Sequence, residues 1–383
     1  MKTILVYSHQ SASGYKELAL SMIREGRRRG WRFAWVTPRD EVDEPARVRR
    51  MFDFLKPIGF VGGAIRRVAT VVPKGIARVW IDCGIVPPGD PHVLHDNASF
   101  GEAAADALAD GGPDFAAFGF EYHSWSLTRM RAFARRIRAS GGQCRTFSFP
   151  RESLDNAYLA FEPMLAALRK LPRPVSVFAV TDRLAEVALM AAGALGWRCP
   201  QDIRIVGVDD DEVLCMSAPT ALSSVHPDWA EGGRLVVEAL EAQMRGEPVR
   251  REYVYGAAGV TRRASTRMGY RRPKDERVER ALDFIASEYA SPSVGVPDVV
   301  AAMGCSRRLA ELRFREETGR SIAEALTDAR LDRAMVLLRR RNADIAALPG
   351  LCGFRTASAL RVAFRRRMGM SMTAWRKANA ADR

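Results

Sequence analysis

The chain has 383 residues, 47% hydrophobic and 27% charged, which places it among globular proteins and excludes disordered and fibrous classes. That length predicts two or three domains. The net charge of +14, supplied mostly by arginine, points to an acidic partner, and it is concentrated: from Lys274 onward 21 Lys and Arg stand against 14 Asp and Glu, so this short stretch carries half of the net charge.

Strand and helix signals alternate up to about residue 262. Ile4–Tyr7 reads as a strand, Tyr15–Arg29 as a helix closed by Gly30, and Phe33–Val36 as the next strand. Gly59-Phe-Val-Gly-Gly63 has the wrong spacing for a dinucleotide loop and reads as a strand-end turn. Phe115–Phe118 is strand-like, and Leu127–Ala139 is an amphipathic helix ended by Gly141-Gly142. The apolar run Val175–Val180 leads into Thr181-Asp182 and a helix over Leu184–Leu195. Ile203–Val208 repeats the pattern and leads into Asp209-Asp210-Asp211. A helix over Glu231–Met244 and a strand over Tyr253–Tyr255 follow. Unbroken apolar runs predict strands covered on both faces, and their alternation with helices predicts parallel α/β layers.

Thr261–Arg277 is basic, polar and without a period, as a linker would be. Every later element reads as a helix. Val278–Tyr289 comes first, then a short helix from Pro297 to Met303. Gly304 allows a turn, and Ser306 is placed to cap a basic helix over Arg307–Glu317, ended by Gly319. Ser321-Ile-Ala-Glu324 is a capping-box pattern opening a long helix, Ile322–Arg340, with Ile322, Leu326, Ala329, Met335 and Leu338 on its inner face. The pattern then recurs: Asp344 caps a helix from Ile345, which would have Pro349 inside it, Cys352-Gly353-Phe354 turns, and a second basic helix runs over Thr356–Met368 to Gly369. Two helix-turn-helix units on a helical strut would set their basic helices about one DNA turn, near 34 Å, apart.

Val299-Val-Ala-Ala-Met-Gly-Cys-Ser-Arg-Arg308 with Phe314-Arg-Glu-Glu-Thr-Gly-Arg-Ser321, and Cys352-Gly-Phe354 with Phe364-Arg-Arg-Arg-Met-Gly369 and Trp375-Arg376, resemble the two halves of an AraC/XylS-type DNA-binding domain. Where that family often has a base-reading Arg, this chain has Leu312 and Val362, each beside an Arg. Val177-Phe-Ala-Val-Thr-Asp182, Ile205-Val-Gly-Val-Asp-Asp210 and Ala221-Leu-Ser-Ser-Val225 resemble the periplasmic-binding-protein-like sensors of LacI/GalR regulators. This order of modules is similar to the XylR-like type of AraC/XylS regulator. The resemblance implies a two-lobed α/β sensor over 1–262 (first lobe about 1–111 and 227–253, second about 112–226 and 254–262), a linker over 263–276, and an all-α domain with two helix-turn-helix units over 277–383.

The same resemblance implies a ligand-responsive, DNA-binding transcription regulator that senses a sugar for carbohydrate-utilisation genes. A non-sugar ligand or a protein partner is the alternative, with a sugar-processing enzyme behind it. For DNA, the expected residues are Ser306, Arg307, Arg308, Glu311 and Arg313 in the first unit and Arg355, Thr356, Ser358 and Arg361 in the second. Arg pairs bidentately with guanine, and Glu accepts from cytosine. Arg339–Arg341 and Arg365–Arg367 fit phosphates or solvent equally well. For the ligand, Asp182 and Asp209 follow apolar strands, and Asp96-Asn97 hold a similar place in the first lobe. Carboxylates supply strong acceptors for hydroxyls. Tyr15, Tyr122 and His123 complete the set, with His9, Trp125 and His226 behind them. No nucleotide-loop, metalloprotease or nucleophile-elbow pattern occurs, and the six scattered cysteines suggest reduced thiols without zinc. No cofactor is expected. The expected partners are double-stranded DNA, a small polar ligand, a second copy of the chain and, for an activator, RNA polymerase. With no leader or long apolar run in the sequence, the expected location is the cytoplasm.

Overall fold

The computed structural model describes residues 2–8, 13–38, 43–63, 66–81, 86–110, 112–154, 156–267, 275–338 and 345–380. The chain forms two compact units, Met1–Asn97 with Pro227–Ala257, and Ala98–His226 with Ala258–Arg383.

The first unit holds β1 (Lys2–Tyr7), α1 (Ser13–Arg27), β2 (Trp31–Val36), α2 (Glu44–Leu55), β3 (Gly59–Gly63), α3 (Arg66–Ala69), β4 (Ala77–Ile81) and β5 (His92–His95). The second opens with α4 (Asn97–Leu108), β6 (Asp114–Phe120), α5 (Ser124–Ala139), β7 (Gln143–Phe149), α6 (Phe161–Leu168), β8 (Val175–Ala179), α7 (Asp182–Ala194), β9 (Ile203–Val208), α8 (Glu212–Ser217) and β10 (Ser223–Pro227). The chain returns to the first unit for α9 (Trp229–Met244) and β11 (Glu252–Tyr255), then to the second with β12 (Ala257–Thr261). Strand orders are β11-β5-β4-β3-β1-β2 and β12-β10-β9-β8-β6-β7. Strands pair in parallel, for example Ile4 with Gly59 and Phe115 with Ser176. Ile4, Leu5, Val6, Val177, Phe178 and Val206 are wholly buried, as strands with helices on both faces require. Strand order reverses between β1 and β3 in one sheet and between β6 and β8 in the other. At such reversals the helices leave a crevice at the carboxyl ends of the strands.

Several boundaries differ from the sequence reading. The first passage between units falls at residue 97 rather than about 111. α4 packs backbone to backbone on α5, where a Cβ on Gly101 would stand 2.2 Å from the Arg129 carbonyl oxygen. The return falls at 257 rather than 253, because β11 pairs with β5 as far as Tyr255 with His95. Gly59–Gly63 is a buried strand rather than a turn, its glycine at 62 leaving room for Trp80 and Phe60. The expected linker begins late as well. Ser265 and Thr266 are buried: the Ser265 hydroxyl donates to the Ile205 carbonyl at 2.6 Å and accepts the Ser223 N–H at 2.8 Å. These hydroxyls take over pairing that a backbone would otherwise supply.

The remaining helices are α10 (Glu276–Glu288), α11 (Val296–Met303), α12 (Arg307–Thr318), α13 (Ile322–Leu338), α14 (Leu348–Leu351), α15 (Ala357–Met368) and α16 (Met372–Ala380). Two cores serve them. Val278, Ile285, Val299, Met303, Ala310, Phe314, Ile322 and Leu326 fill one. Leu331, Ala334, Leu338, Leu348, Leu360, Phe364, Met372 and Trp375 fill the other. α13 feeds the first core from its amino half and the second from its carboxyl half. Pro349 sits in the first turn of α14, where its missing N–H costs nothing, instead of interrupting a longer helix. Asp344 and Arg339–Arg341 lie outside the described residues.

Candidate ligand loops and DNA-reading helices

In the second unit, β6, β8 and β9 run parallel and deliver Tyr122-His123, Thr181-Asp182 and Asp209-Asp210-Asp211 to the same sheet edge. Asp182 does not cap α7; the Thr181 hydroxyl does, accepting the Leu184 N–H at 3.2 Å. Asp182 is 1% exposed and its carboxylate is engaged internally. Oδ1 accepts the Ser224 hydroxyl at 2.5 Å, and Oδ2 accepts the Asp211 N–H at 2.9 Å and the Cys215 thiol at 3.4 Å. Gly207 makes the fit possible, since a Cβ there would stand 2.1 Å from Asp182 Oδ1. Burial and then the neighbouring Asp209 carboxylate drive the Asp182 carboxyl well above the usual range, against the Ser224 hydrogen bond. Asp182, expected at the ligand, is therefore a strut tying the β8 loop to the β9 and β10 loops.

Asp210 is also engaged. It accepts the Thr261 hydroxyl at 2.7 Å and pairs with the Arg263 guanidinium at 2.8 Å. Burial pushes its carboxyl up, but Arg263, His226 and Thr261 outweigh burial and hold it below the ordinary value. Asp209, which precedes Asp210 and whose charge acts on Asp182, is half-buried, with a φ of 111° that a non-glycine residue adopts only where its surroundings enforce it. His226 is buried at the end of β10, near Asp210.

At the end of β6, Tyr122 is 85% exposed with a φ of 61°. His123 precedes α5, its ring 5.7 Å from Trp125. Sequence reasoning missed Arg129. Its guanidinium lies 4.9 Å from the Trp125 ring and 4.7 Å from Phe100, and it donates to the Val180 carbonyl at 2.7 Å. A Trp followed four residues later by Arg on one helix was the available signal. The stack joins the end of β6 to the end of β8.

In the first unit, Asp96 is exposed and its N–H donates to the Tyr255 carbonyl at 2.8 Å. The Asn97 amide donates to the His95 carbonyl at 3.4 Å. Sequence reasoning also missed the knot beside them, in which the Tyr255 hydroxyl is 2.7 Å from His95 Nε2 and Trp229 meets the His95 ring edge-on. Tyr15 lies on α1, but its side chain is outside the described residues, as are His9 and residues 9–12, 39–42, 64–65 and 82–85.

The two basic helices repeat at a spacing of 50 residues. Ser306 and Thr356 are their N-caps, accepting the N–H groups of Leu309 at 3.4 Å and Ala359 at 3.1 Å. Ala310 and Leu360, then Phe314 and Phe364, face the cores, and Gly319 and Gly369 close the helices in left-handed conformation. Arg307 and Arg308 are exposed on α12 and Glu311 is half-buried; Ala357, Ser358 and Arg361 are exposed on α15. Arg361 donates to the Ala357 carbonyl at 3.2 Å, and Arg313 pairs with Glu316 at 3.1 Å. Arg355 differs from expectation: it reaches back to the Pro292 and Ser293 carbonyls at 3.1 and 3.4 Å. Arg330 holds the same loop through Tyr289, Ser291 and Val294. These two arginines join the second helix-turn-helix unit to the first.

The five described cysteines form no disulfide. Among the described residues no cluster suited to a metal occurs, and no helix is long and apolar enough to cross a membrane.

A periplasmic binding protein-like domain family matches residues 105–266, and a helix-turn-helix domain family matches residues 299–378. The xylose operon regulatory protein of Haemophilus influenzae is 24% identical over 271 residues, 70% of each chain. That of Escherichia coli K12 is 26% identical over 269 residues, 69% of this chain and 68% of the relative. Among solved structures, a xylose-binding transcription activator xylR aligns over 98% of both chains with a TM-score of 0.59 at 20% identity. A CelR-cellobiose complex aligns over 69% of this chain and 84% of its own, with a TM-score of 0.56 at 20% identity. These two likenesses are of fold.

Proposed function

This chain is a XylR-like regulator of the AraC type, and on that premise we propose that it senses a small sugar and answers by changing its hold on double-stranded DNA. The observation that carries the DNA half is the 50-residue repeat of N-capped basic helices, each with one face buried and the opposite face exposed. Arg308 and Arg361 are the base-reading candidates, while Arg307, Arg365 and Arg366 suit phosphates. Ser306 and Thr356 position the helices, and Arg355 positions the second unit.

The sugar half is supported by relatives named for the xylose operon and by the acceptor and aromatic groups at the carboxyl ends of β6, β8 and β9. There Asp209 is the acceptor candidate, and Tyr122, His123 and Trp125 offer ring faces. Asp182 and Asp210 hold that loop in shape. Within the first unit, Asp96 and Asn97 are that unit's own polar candidates. A ligand that binds one arrangement of the sensor better than another shifts a two-state equilibrium, and DNA occupancy follows. The chain acts as a cytoplasmic homodimer, binds its sugar without turning it over, and contacts RNA polymerase when it activates.

The test begins with selection of an operator from a randomised duplex pool and a thermal-shift screen of pentoses and hexoses, xylose first. The expected result is one sugar that raises the melting temperature and changes operator affinity. A sugar that binds tightly yet leaves operator affinity and transcription unchanged would remove the sensor role. Arg308→Ala should cost about 1–3 kcal/mol of operator binding and relax one base position, checked by repeating the selection with the variant.

A further inference from the structure

Each basic helix carries one exposed large apolar side chain among the arginines of its outer face, and the two occupy the same place. Leu312 is 53% exposed and Val362 is 67% exposed. They stand six residues after the N-caps Ser306 and Thr356 and 50 residues from one another. Each is flanked two residues away on both sides by core residues, Ala310 and Phe314 for Leu312, Leu360 and Phe364 for Val362. At about 100° per residue, a position two away from the buried ridge in both directions points straight outward. Around them lie Arg308, Arg315, Arg361 and Arg365, all exposed.

A lone surface leucine asks for no explanation. Recurrence at the equivalent position of an internal repeat, at the crest of the face that the arginines would bring against phosphates, does. An apolar crest inserted in a major groove meets one apolar group on the base edges, the 5-methyl of thymine. We infer that Leu312 and Val362 each read a thymine methyl group, one in each half of the operator. The inference rests on the DNA-binding reading above and adds to it the base class that each helix selects. Packing on these helices binds the crest to a helix face that Arg308 and Arg361 flank, so that guanine contacts fall beside the thymines.

The experiment uses the full chain and an operator selected from a randomised duplex pool, with each thymine in turn replaced by deoxyuridine, which pairs alike but lacks the methyl. For the wild type, replacement at one thymine in each half-site, about ten base pairs apart, should weaken binding about fourfold, the worth of one methyl group removed from water. Leu312→Ala should abolish the sensitivity at one of the two positions and Val362→Ala at the other, while Arg308→Ala lowers affinity and keeps both sensitivities. Circular dichroism of the variants should match the wild type, since neither side chain belongs to a core. Uniform indifference to deoxyuridine, or sensitivity that survives both alanine variants, overturns the inference. A pool that yields no preferred sequence, from a chain that still shifts duplex DNA in low salt, also overturns it and leaves the DNA-binding reading standing. If no duplex is shifted at all, both fall.

Discussion

Asp182 and Asp210 are near neighbours whose carboxyls are pushed in opposite directions, and each direction has a consequence. The folded Asp182 carboxyl holds its proton more tightly than an unfolded one. Above the unfolded value of about 3.9, rising pH therefore favours unfolding until the folded carboxyl itself ionises. Asp182→Asn removes that penalty, so its stability relative to wild type should grow as pH rises from about 4 to 8, read as the difference between paired thermal melts. A constant difference across that range would refute the buried, proton-holding carboxyl. The Asp210 carboxyl lies below its ordinary value, so its contribution is present above the unfolded value and is lost as pH falls through the folded one. Both proteins carry that second effect, and it cancels in the difference. Arg263 is the counter-charge of Asp210, both side chains being largely buried. Arg263→Met should cost about 3–5 kcal/mol in denaturant unfolding, because it strands a buried carboxylate. None of this division was legible in Ile205-Val-Gly-Val-Asp-Asp-Asp211, where three consecutive carboxylates look alike. What sorts them is Thr261, Arg263 and Ser224, which are distant in sequence.

Elements were legible where a local rule governs them alone. The cap at Ser306, the start of the second basic helix at Thr356, the closing glycines at 319 and 369, and the apolar strands β8 and β9 follow from nearest-neighbour chemistry, and the structure has them there. α13 was harder. Ile322 and Leu326 face one core, Leu331 and Leu338 the other, so no single stripe runs along it, and Ala329 and Met335 only border the cores. The buried Ser265 and Thr266 resembled linker for a related reason, since hydroxyls that complete a sheet look like hydroxyls in solvent. The two turns of the helix-turn-helix units make a sharper comparison. Gly304 and Gly353 both have left-handed backbone, with φ of 65° and 77°. A Cβ on Gly304 meets nothing within 4 Å, whereas one on Gly353 would stand 2.0 Å from the Tyr289 carbonyl oxygen. Gly304→Ala should cost about 1 kcal/mol, the conformational penalty alone. Gly353→Ala should cost several times more and should displace the loop that Arg330 and Arg355 grip. Equal melting temperatures for the two variants would show that the second unit is not seated on that loop.

At the scale of the whole molecule the question is how the sensor's state reaches a DNA-reading helix, and within the second unit a chain of ion pairs runs between them. Arg267 is the last described residue of the sensor and stands just beyond the buried Ser265 and Thr266, which are fastened to β9 and β10. Its guanidinium lies 3.3 Å from Asp332 Oδ2 on α13. The other oxygen of Asp332 accepts from Arg367, at the end of α15, at 2.7 Å. Arg367 also pairs with Asp328 at 3.6 Å, and Asp328 with Arg320 at 3.0 Å. One carboxylate thus joins the sensor's last segment to the second basic helix, while Asp328 steadies that helix through Arg367 and lies near Arg267 as a secondary charge. Asp332→Asn keeps the size of the side chain and removes the charge that holds two arginines together. If the sensor acts through this contact, the ratio of operator affinities with and without the bound sugar should shrink by about 0.5–2 kcal/mol, roughly twofold to thirtyfold. Linkage requires that the effect of operator DNA on sugar affinity shrink by the same factor. Sugar affinity without DNA should stay as in wild type, because the β6, β8 and β9 loops are untouched. Asp328→Asn is the control: it should weaken operator binding while leaving the ratio intact. Both ratios measured at wild-type values in Asp332→Asn would mean that the signal travels by another route, and equal losses in the two variants would mean that only the placement of α15 had been disturbed.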